Sequence, residues 1–174
     1  GMIAGCVTVT GLASKLISGV LAVTSLVPIP ALAMFIGLFL TMFCCIVLGM
    51  GVPTTANFCI MASTCAPILI KMGLPDMAAY FFVFYFGIVA DITPPVALAA
   101  YAGAAIAKAN PMKTGVNATK LAIAAFIVPY IFAYSPAMLF INVGSWLEVV
   151  QIILSALLGL FGIAAALNGN LYRH

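Results

Sequence analysis

The stretch FGIVADITPPVALAA, residues 86–100, places an aspartate, a threonine and two adjacent prolines inside an otherwise apolar run. Pro94 and Pro95 lack backbone N–H donors, and a proline keeps the residue before it, here Thr93, out of the helical region. Lipid cannot satisfy the backbone groups that such a break frees, so breaks of this kind occur only inside protein or beside a water-filled cavity. The stretch therefore predicts a membrane helix that is interrupted at a protected site.

The chain as a whole has the composition of an integral membrane protein. Of its 174 residues, 66% are hydrophobic and 5% are charged, and the mean hydropathy is +1.32. A soluble domain carries about 25% charged residues, so this chain could not cover a globular surface with polar side chains. The net charge of +3 is too small and too scattered for nucleic-acid binding. We therefore expect the lipid bilayer as a partner and no nucleic acid.

Motifs of enzymes and of transition-metal sites are missing from the sequence. The five cysteines form no CxxC pair and the single histidine is the last residue, so we expect the cysteines to be buried small hydrophobes. The sequence contains no HExxH motif and no pair of carboxylates within reach of each other. We accordingly expect neither an enzyme nor a cofactor.

Apolar runs of about 20 residues predict an all-α, polytopic membrane protein with a helical hairpin and a broken transmembrane helix. A helical segment is expected in residues 1–30 and the hairpin in residues 31–70, with its tip at GMGVPTTAN, residues 49–57. The broken helix is expected in residues 77–107. Residues 108–174 are predicted to form a polar cytoplasmic loop and two C-terminal membrane helices.

The orientation follows from the lysines. The predicted loop, KANPMKTGVNATK at residues 108–120, is the most hydrophilic stretch of the chain, and by counting crossings it lies on the same side as Arg173. The positive-inside rule then places this loop and the C-terminus in the cytoplasm. The hairpin would enter the membrane from the outside.

Two polar breaks at membrane depth are typical of transporter binding sites. Candidate site residues are Gly49, Gly51, Pro53, Thr54, Thr55 and Asn57 at the hairpin tip and Asp91, Ile92, Thr93, Pro94 and Pro95 at the broken helix. Because transporters bind Na⁺ through oxygen atoms of such unwound segments, the sequence predicts a Na⁺ site formed by Thr54, Asn57, Thr93 and Asp91. Half-helix N-termini at Thr54 and Val96 would face an anionic substrate group. Alternatively, the threonines and asparagine only cap helix restarts.

Asp91 is the only acidic residue deep within a span. A charge at the centre of the bilayer costs about 2.5–3.5 kcal/mol even on lenient scales and by default marks an ion or substrate pathway. Asp91 would suit a Na⁺ ligand, a proton carrier or a cap for backbone N–H groups near the break. Two alternative functions therefore stay open: a membrane scaffold subunit that does not transport, and a proton-coupled transporter of another inverted-repeat family.

The ordered motifs LGMGVPTTAN, residues 48–57, and APILIKMGLPDMAAYFFVFYFGIVADITPPVALAAYAGAAIAKANPMKTG, residues 66–115, closely resemble the large membrane subunit of TRAP (tripartite ATP-independent periplasmic) transporters. The most similar form is the fused permease, in which the small and large membrane subunits are one polypeptide. GCVTVTGLASKL, residues 5–16, resembles the segment that precedes the hairpin in that family. Many members have a glycine after TPPV, where this chain has Ala97.

The resemblance implies a Na⁺-driven, elevator-type secondary transporter built from inverted repeats. Such a protein imports a small organic acid that an extracytoplasmic substrate-binding protein delivers. This chain would be the C-terminal part of the permease, with residues 31–107 as the transport region of the second repeat. The first repeat and the small membrane subunit would lie in the same polypeptide, in the cytoplasmic (inner) membrane of a bacterium or archaeon.

Overall fold

The computed structural model describes residues 9–26, 28–141 and 144–168, and all regular structure in them is helical. The α-helices of these residues are α1 (Leu12–Ser25), α2 (Pro30–Gly49), α3 (Thr54–Thr64), α4 (Ala66–Lys71), α5 (Asp76–Val89), α6 (Leu98–Ile106), α7 (Pro111–Leu121), α8 (Ile123–Tyr134) and α9 (Trp146–Asn168). Short 3₁₀ turns lie at Ala90–Ile92 and Pro136–Leu139. The predicted all-α class is confirmed.

Three helical stretches of the described residues are long and apolar enough to cross a membrane: Pro30–Gly49, Pro111–Tyr134 and Trp146–Leu167. The second stretch consists of α7 followed directly by α8. Helix α9 leaves large apolar side chains such as Leu158 and Phe161 exposed, which suits contact with lipid and would be unfavourable in water. The chain is therefore a multi-pass membrane protein, as the composition predicts.

The predicted hairpin consists of α2 as its first arm and of α3 and α4 as its second. Helix α2 starts with Pro30 in its first turn, where a missing N–H costs nothing. At the tip, Gly51 has a φ of +75°, a conformation that favours glycine, and Pro53 is extended before α3 begins. The second arm is divided beside Pro67, which has no N–H to continue the helical bonding.

The predicted broken helix consists of α5, the 3₁₀ turn, an irregular segment and α6. The irregular segment contains a cis peptide bond between Pro94 and Pro95. Ala97 then takes φ 30° and ψ 50°, in the left-handed region, directly before α6. Helix α6 begins at Leu98, slightly later than the restart expected at Val96. The interruption lies where the two prolines predict it.

Helix α5 is the central helix of the fold and packs against α2, α3 and α8. Phe82 and Phe86 are fully buried on it, and their ring centroids lie 5.5 Å and 6.2 Å from that of Tyr130 on α8. Edge-to-face packing of this kind adds to the stability gained by burial. The aromatic run before the break therefore fixes the end of α5 against α8.

The prediction of a polar loop over residues 108–120 is wrong, because most of this stretch is helix α7. Asn110 caps it, with its side-chain oxygen accepting a hydrogen bond from the backbone N–H of Lys113 at 3.1 Å, and Pro111 occupies the first turn. Polar composition suggested a loop, but a capped helix with one face against the protein tolerates polar residues on its other face. The two C-terminal helices are α8 and α9. Residues 1–8 of the predicted first segment, and Arg173, lie outside the described residues.

Candidate functional site

The hairpin and the broken helix meet at Asn57 in α3. Its side chain is fully buried, and Nδ2 donates a hydrogen bond to the carbonyl oxygen of Gly87 in α5 at 3.1 Å. A Cβ atom on Gly49 would lie 2.6 Å from Nδ2 of Asn57 and 2.7 Å from Cβ of Ala90. Such distances leave no room for a side chain at residue 49. The end of α2, the start of α3 and the end of α5 therefore pack directly against one another.

The other polar atom of the Asn57 side chain, Oδ1, is buried and has no hydrogen-bond donor among the described residues. A buried acceptor without a partner is costly, about 1–3 kcal/mol, and in a native structure calls for an explanation such as a bound ion or water. Thr54 lies one turn earlier on α3, so both side chains occupy the same face of the helix. This face points towards the broken helix.

A cleft of about 250 Å³ lies between the hairpin tip and the broken helix. It is lined by Gly51, Val52, Pro53, Asp91, Leu98 and Ala99. Asp91 is half-buried, and its Oδ2 lies 3.5 Å from Oγ1 of Thr54, at the long end of hydrogen-bond distances. The structure thus brings the only deep acidic residue of the sequence to the tip of the hairpin.

Two helix N-termini open onto this cleft. Helix α3 begins at Thr54, directly after the tip, and α6 begins at Leu98, directly after the break. The free N–H groups and the dipole of a helix start favour a negatively charged group nearby. The cleft therefore combines a carboxylate, which suits a cation, with two helix ends, which suit an anion.

Three of the remaining candidates of the broken helix take part in hydrogen bonds: Ile92, Thr93 and Pro95. The hydroxyl of Thr93 donates to the carbonyl oxygen of Val89 at 2.7 Å, which leaves its lone pairs free. The carbonyls of Ile92 and Pro95 accept hydrogen bonds from hydroxyls of Thr119 and Tyr101.

Four of the hairpin candidates are exposed: Gly51, Pro53, Thr54 and Thr55. The hydrogen bonds of the described residues do not join Thr55 to the broken helix.

Five residues at or beside the cleft are not among the sequence-based candidates: Val52, Gly87, Ala90, Leu98 and Ala99. Gly87 is the single glycine within the aromatic run of α5, and an isolated glycine inside a helical pattern usually has a packing reason. The isolated glycine is therefore a local signal that indicates Gly87 as a packing site. The alanines and the leucine resemble any other apolar residue of the chain, so nothing local distinguishes them.

The donor atoms of the site suit a hard cation. In the part of the chain that the structure describes, no group of three or more His, Cys, Asp or Glu side chains could hold a metal. The side-chain oxygens at the cleft come instead from Asp91, which lines it, and from Thr54, which lies beside Asp91. Carboxylate, hydroxyl and amide oxygens are the ligands that hard cations prefer.

A hairpin whose tip meets a broken helix, in an apolar multi-pass chain, defines a membrane transporter component. The chain belongs to the DctM family, because the family model described as "Tripartite ATP-independent periplasmic transporter, DctM component" matches residues 1–147. No curated protein and no solved structure matches the chain. The resemblance to the large membrane subunit of TRAP transporters is confirmed. Transporters of this kind generally work with a substrate-binding protein.

Proposed function

We propose that the chain is part of a Na⁺-coupled TRAP permease that imports a small organic acid delivered by an extracytoplasmic substrate-binding protein. The observation that carries this proposal is the cleft in which Asp91, the hairpin tip and the N-termini of α3 and α6 come together. A membrane scaffold would need neither a cleft nor a buried amide oxygen without a donor. Both features favour a binding site.

The cleft contains a carboxylate that suits a cation and two helix N-termini that suit an anion. This combination explains why the binding of a cation would be coupled to the binding of an anion. A carboxylate of the substrate placed at the two helix ends would also lie near Asp91, and like charges repel strongly where little water screens them. A Na⁺ ion held by Asp91 and Thr54 would offset that repulsion. Substrate binding would then depend on Na⁺, which is the requirement for symport.

Different residues of the chain would bind the ion and shape the site. Asp91 and the hydroxyls of Thr54 and Thr93 would hold the ion, and Asn57 would offer its unpaired Oδ1. Gly49 would allow the close approach that brings Asn57 to the broken helix. Pro94 and Pro95 would bind nothing themselves; they would keep the backbone open so that other groups can bind.

The setting of this site follows from the family. We infer an elevator-type protein with inverted repeats, in which residues 31–107 are the transport region of the second repeat. The first repeat and the small membrane subunit would belong to the same polypeptide, in the cytoplasmic membrane of a bacterium or archaeon. The start of helix α7 and the C-terminus would lie on the cytoplasmic side. A membrane-impermeant amine reagent applied from outside should then leave Lys113 unmodified in intact cells.

Proton coupling is the second candidate, because Asp91 is the acidic side chain that lines the cleft. The two functions make different demands on Asp91. A proton carrier must release and rebind a proton during each cycle, whereas a Na⁺ ligand must stay charged. Transport driven by a proton gradient without Na⁺ would favour the carrier.

Uptake by proteoliposomes tests the proposed function. The natural polypeptide that carries this chain is reconstituted, and its substrate-binding protein is loaded with an organic acid that raises the melting temperature of that protein. We expect uptake with an inward Na⁺ gradient and none with choline or with a proton gradient alone. Asp91→Asn should abolish uptake, whereas the matched change Glu148→Gln, at an exposed site on α9, should not. Equal uptake in choline would contradict the proposal.

A further inference from the structure

We propose that Thr119 on helix α7 and Tyr101 on helix α6 are positioning residues that hold the broken segment and set the Na⁺ affinity of the site. This inference rests on the proposed Na⁺ site. Its basis is a pair of hydroxyl groups that hold backbone carbonyls on the two sides of Thr93 and Pro94.

The first hydroxyl belongs to Thr119 on α7. Its Oγ1 lies 3.2 Å from the carbonyl oxygen of Ile92, a residue 27 positions earlier in the chain. It also lies 3.0 Å from the carbonyl oxygen of Gly115, one turn earlier in the same helix. The bond within the helix is ordinary for threonine, so the contact with Ile92 is the informative one. It joins α7 to the break.

The second hydroxyl belongs to Tyr101 on α6, whose phenol oxygen lies 2.6 Å from the carbonyl oxygen of Pro95. Ile92 and Pro95 flank Thr93 and Pro94, in the irregular segment where neither proline has a backbone N–H to donate. Thr119 therefore holds one end of the irregular segment, and Tyr101 holds the other.

Close packing at Gly115 keeps α7 against the break. A Cβ atom there would lie 3.2 Å from Cε1 of Tyr101 and 3.3 Å from Cγ of Pro94. These distances are tight for carbon atoms, so a side chain at residue 115 would push α7 away. The glycine thus brings the helix close enough for Thr119 to reach Ile92.

A carbonyl oxygen that accepts one hydrogen bond keeps a second lone pair. A hydroxyl bound to it therefore fixes the direction of the carbonyl without blocking its other side. Carbonyls of unwound segments are where transporters bind Na⁺, and a site whose oxygens are held in place loses less freedom on binding. Removal of either hydroxyl should weaken Na⁺ binding.

A purely structural role of α7 makes a different prediction. If Thr119 only held the fold together, its loss would lower the melting temperature equally with and without Na⁺. If it positions the break, its loss changes the Na⁺ concentration at which the protein is half saturated. The readout must therefore be the affinity for Na⁺ and not stability alone.

The experiment is a NaCl titration of the melting temperature of the natural polypeptide in detergent, with KCl replacing NaCl at constant ionic strength. One hydrogen bond to a carbonyl changes an equilibrium by about three- to tenfold, so Thr119→Val should raise the half-saturating Na⁺ concentration by about that factor. Tyr101→Phe should raise the half-saturating Na⁺ concentration by a similar factor. This variant provides the test if Thr119→Val does not fold. Thr119→Ser, which keeps the hydroxyl, should match the parent.

Thr114→Val is the matched control, because the hydroxyl of Thr114 bonds only to the carbonyl oxygen of Asn110 at the start of the same helix. Its half-saturating concentration should equal that of the parent. A parent that responds equally to Na⁺ and K⁺ would contradict the proposed Na⁺ site, and the inference with it. A parent that prefers Na⁺, with unchanged affinity in Thr119→Val and Tyr101→Phe, would contradict the positioning role alone.

Discussion

The side-chain amide of Asn57 donates a hydrogen bond to the carbonyl oxygen of Gly87 across 3.1 Å, and this contact joins the hairpin to the broken helix. Both residues are buried. The partner oxygen of the amide, Oδ1, remains without a donor among the described residues. The same side chain therefore joins the hairpin to the broken helix and keeps one buried oxygen without a donor among the described residues.

Replacing Asn57 tests the first of these tasks. Asn57→Ala should lower the free energy of unfolding by about 1–3 kcal/mol, because a buried hydrogen bond is lost and a cavity is left. Chemical unfolding in detergent measures the change. Ser63→Ala is the control on the same helix, since the hydroxyl of Ser63 bonds only to the carbonyl of Ile60. Equal stability of the two variants would contradict the role of Asn57 in the contact.

Gly49 should tolerate no larger residue. In Gly49→Ala the new methyl group would meet Asn57 and Ala90 well inside contact distance, and overpacking of this kind costs about 1–3 kcal/mol. Gly103→Ala has nothing within 4 Å of the new atom and should stabilise α6 by about 0.5–1 kcal/mol. Melting temperatures that move in opposite directions would agree with the packing described. A neutral Gly49→Ala would refute it.

Ala97 has a left-handed backbone conformation, which is unfavourable for a residue with a Cβ atom. Its φ of 30° costs a residue with a Cβ about 1–2 kcal/mol relative to glycine, whereas the loss of one buried methyl group costs less. Ala97→Gly should therefore raise the free energy of unfolding, by up to about 1 kcal/mol. Ala102→Gly, at an exposed position inside α6, should lower it by about 0.5–1 kcal/mol. Destabilisation of similar size in both would show that Ala97 is not strained.

The cap of α7 can be tested in the same way. Asn110→Ala removes the side-chain oxygen that accepts from Lys113, and loss of such a cap costs about 0.5–2 kcal/mol. Asn117→Ala, at an exposed position within the helix, should be close to neutral. Urea unfolding followed by circular dichroism measures both. If the two variants behave alike, α7 does not depend on its cap.

The two breaks could be predicted because proline and glycine act locally. Pro94 and Pro95 interrupt a helix whatever surrounds them, and Gly51 followed by Pro53 forces a turn. The hairpin and the broken helix therefore appear where the sequence places them. Helix α7 could not be inferred from polarity, although Asn110 followed by Pro111 is a recognised start signal for a helix.

The contacts between the breaks were harder to predict. Asp91 and Thr54 are 37 positions apart, and their separation in space depends on how α5 packs on the hairpin. Thr119 lies further along, in a segment whose polar composition predicts a loop. No local pattern indicates that its hydroxyl reaches the break, because that contact depends on the turn after α6 and on the small size of Gly115.

The central claim, that the hairpin tip and the broken helix form one Na⁺ site, is tested most directly by stabilisation with NaCl. At an ion concentration about 100 times the dissociation constant, binding stabilises a protein by about 2.7 kcal/mol. We predict that NaCl raises the melting temperature of the natural polypeptide whereas KCl does not. Thr54→Val on one side and Asp91→Asn on the other should each remove the effect, with Glu148→Gln as the unaffected control. Full Na⁺ stabilisation in both site variants would contradict the claim.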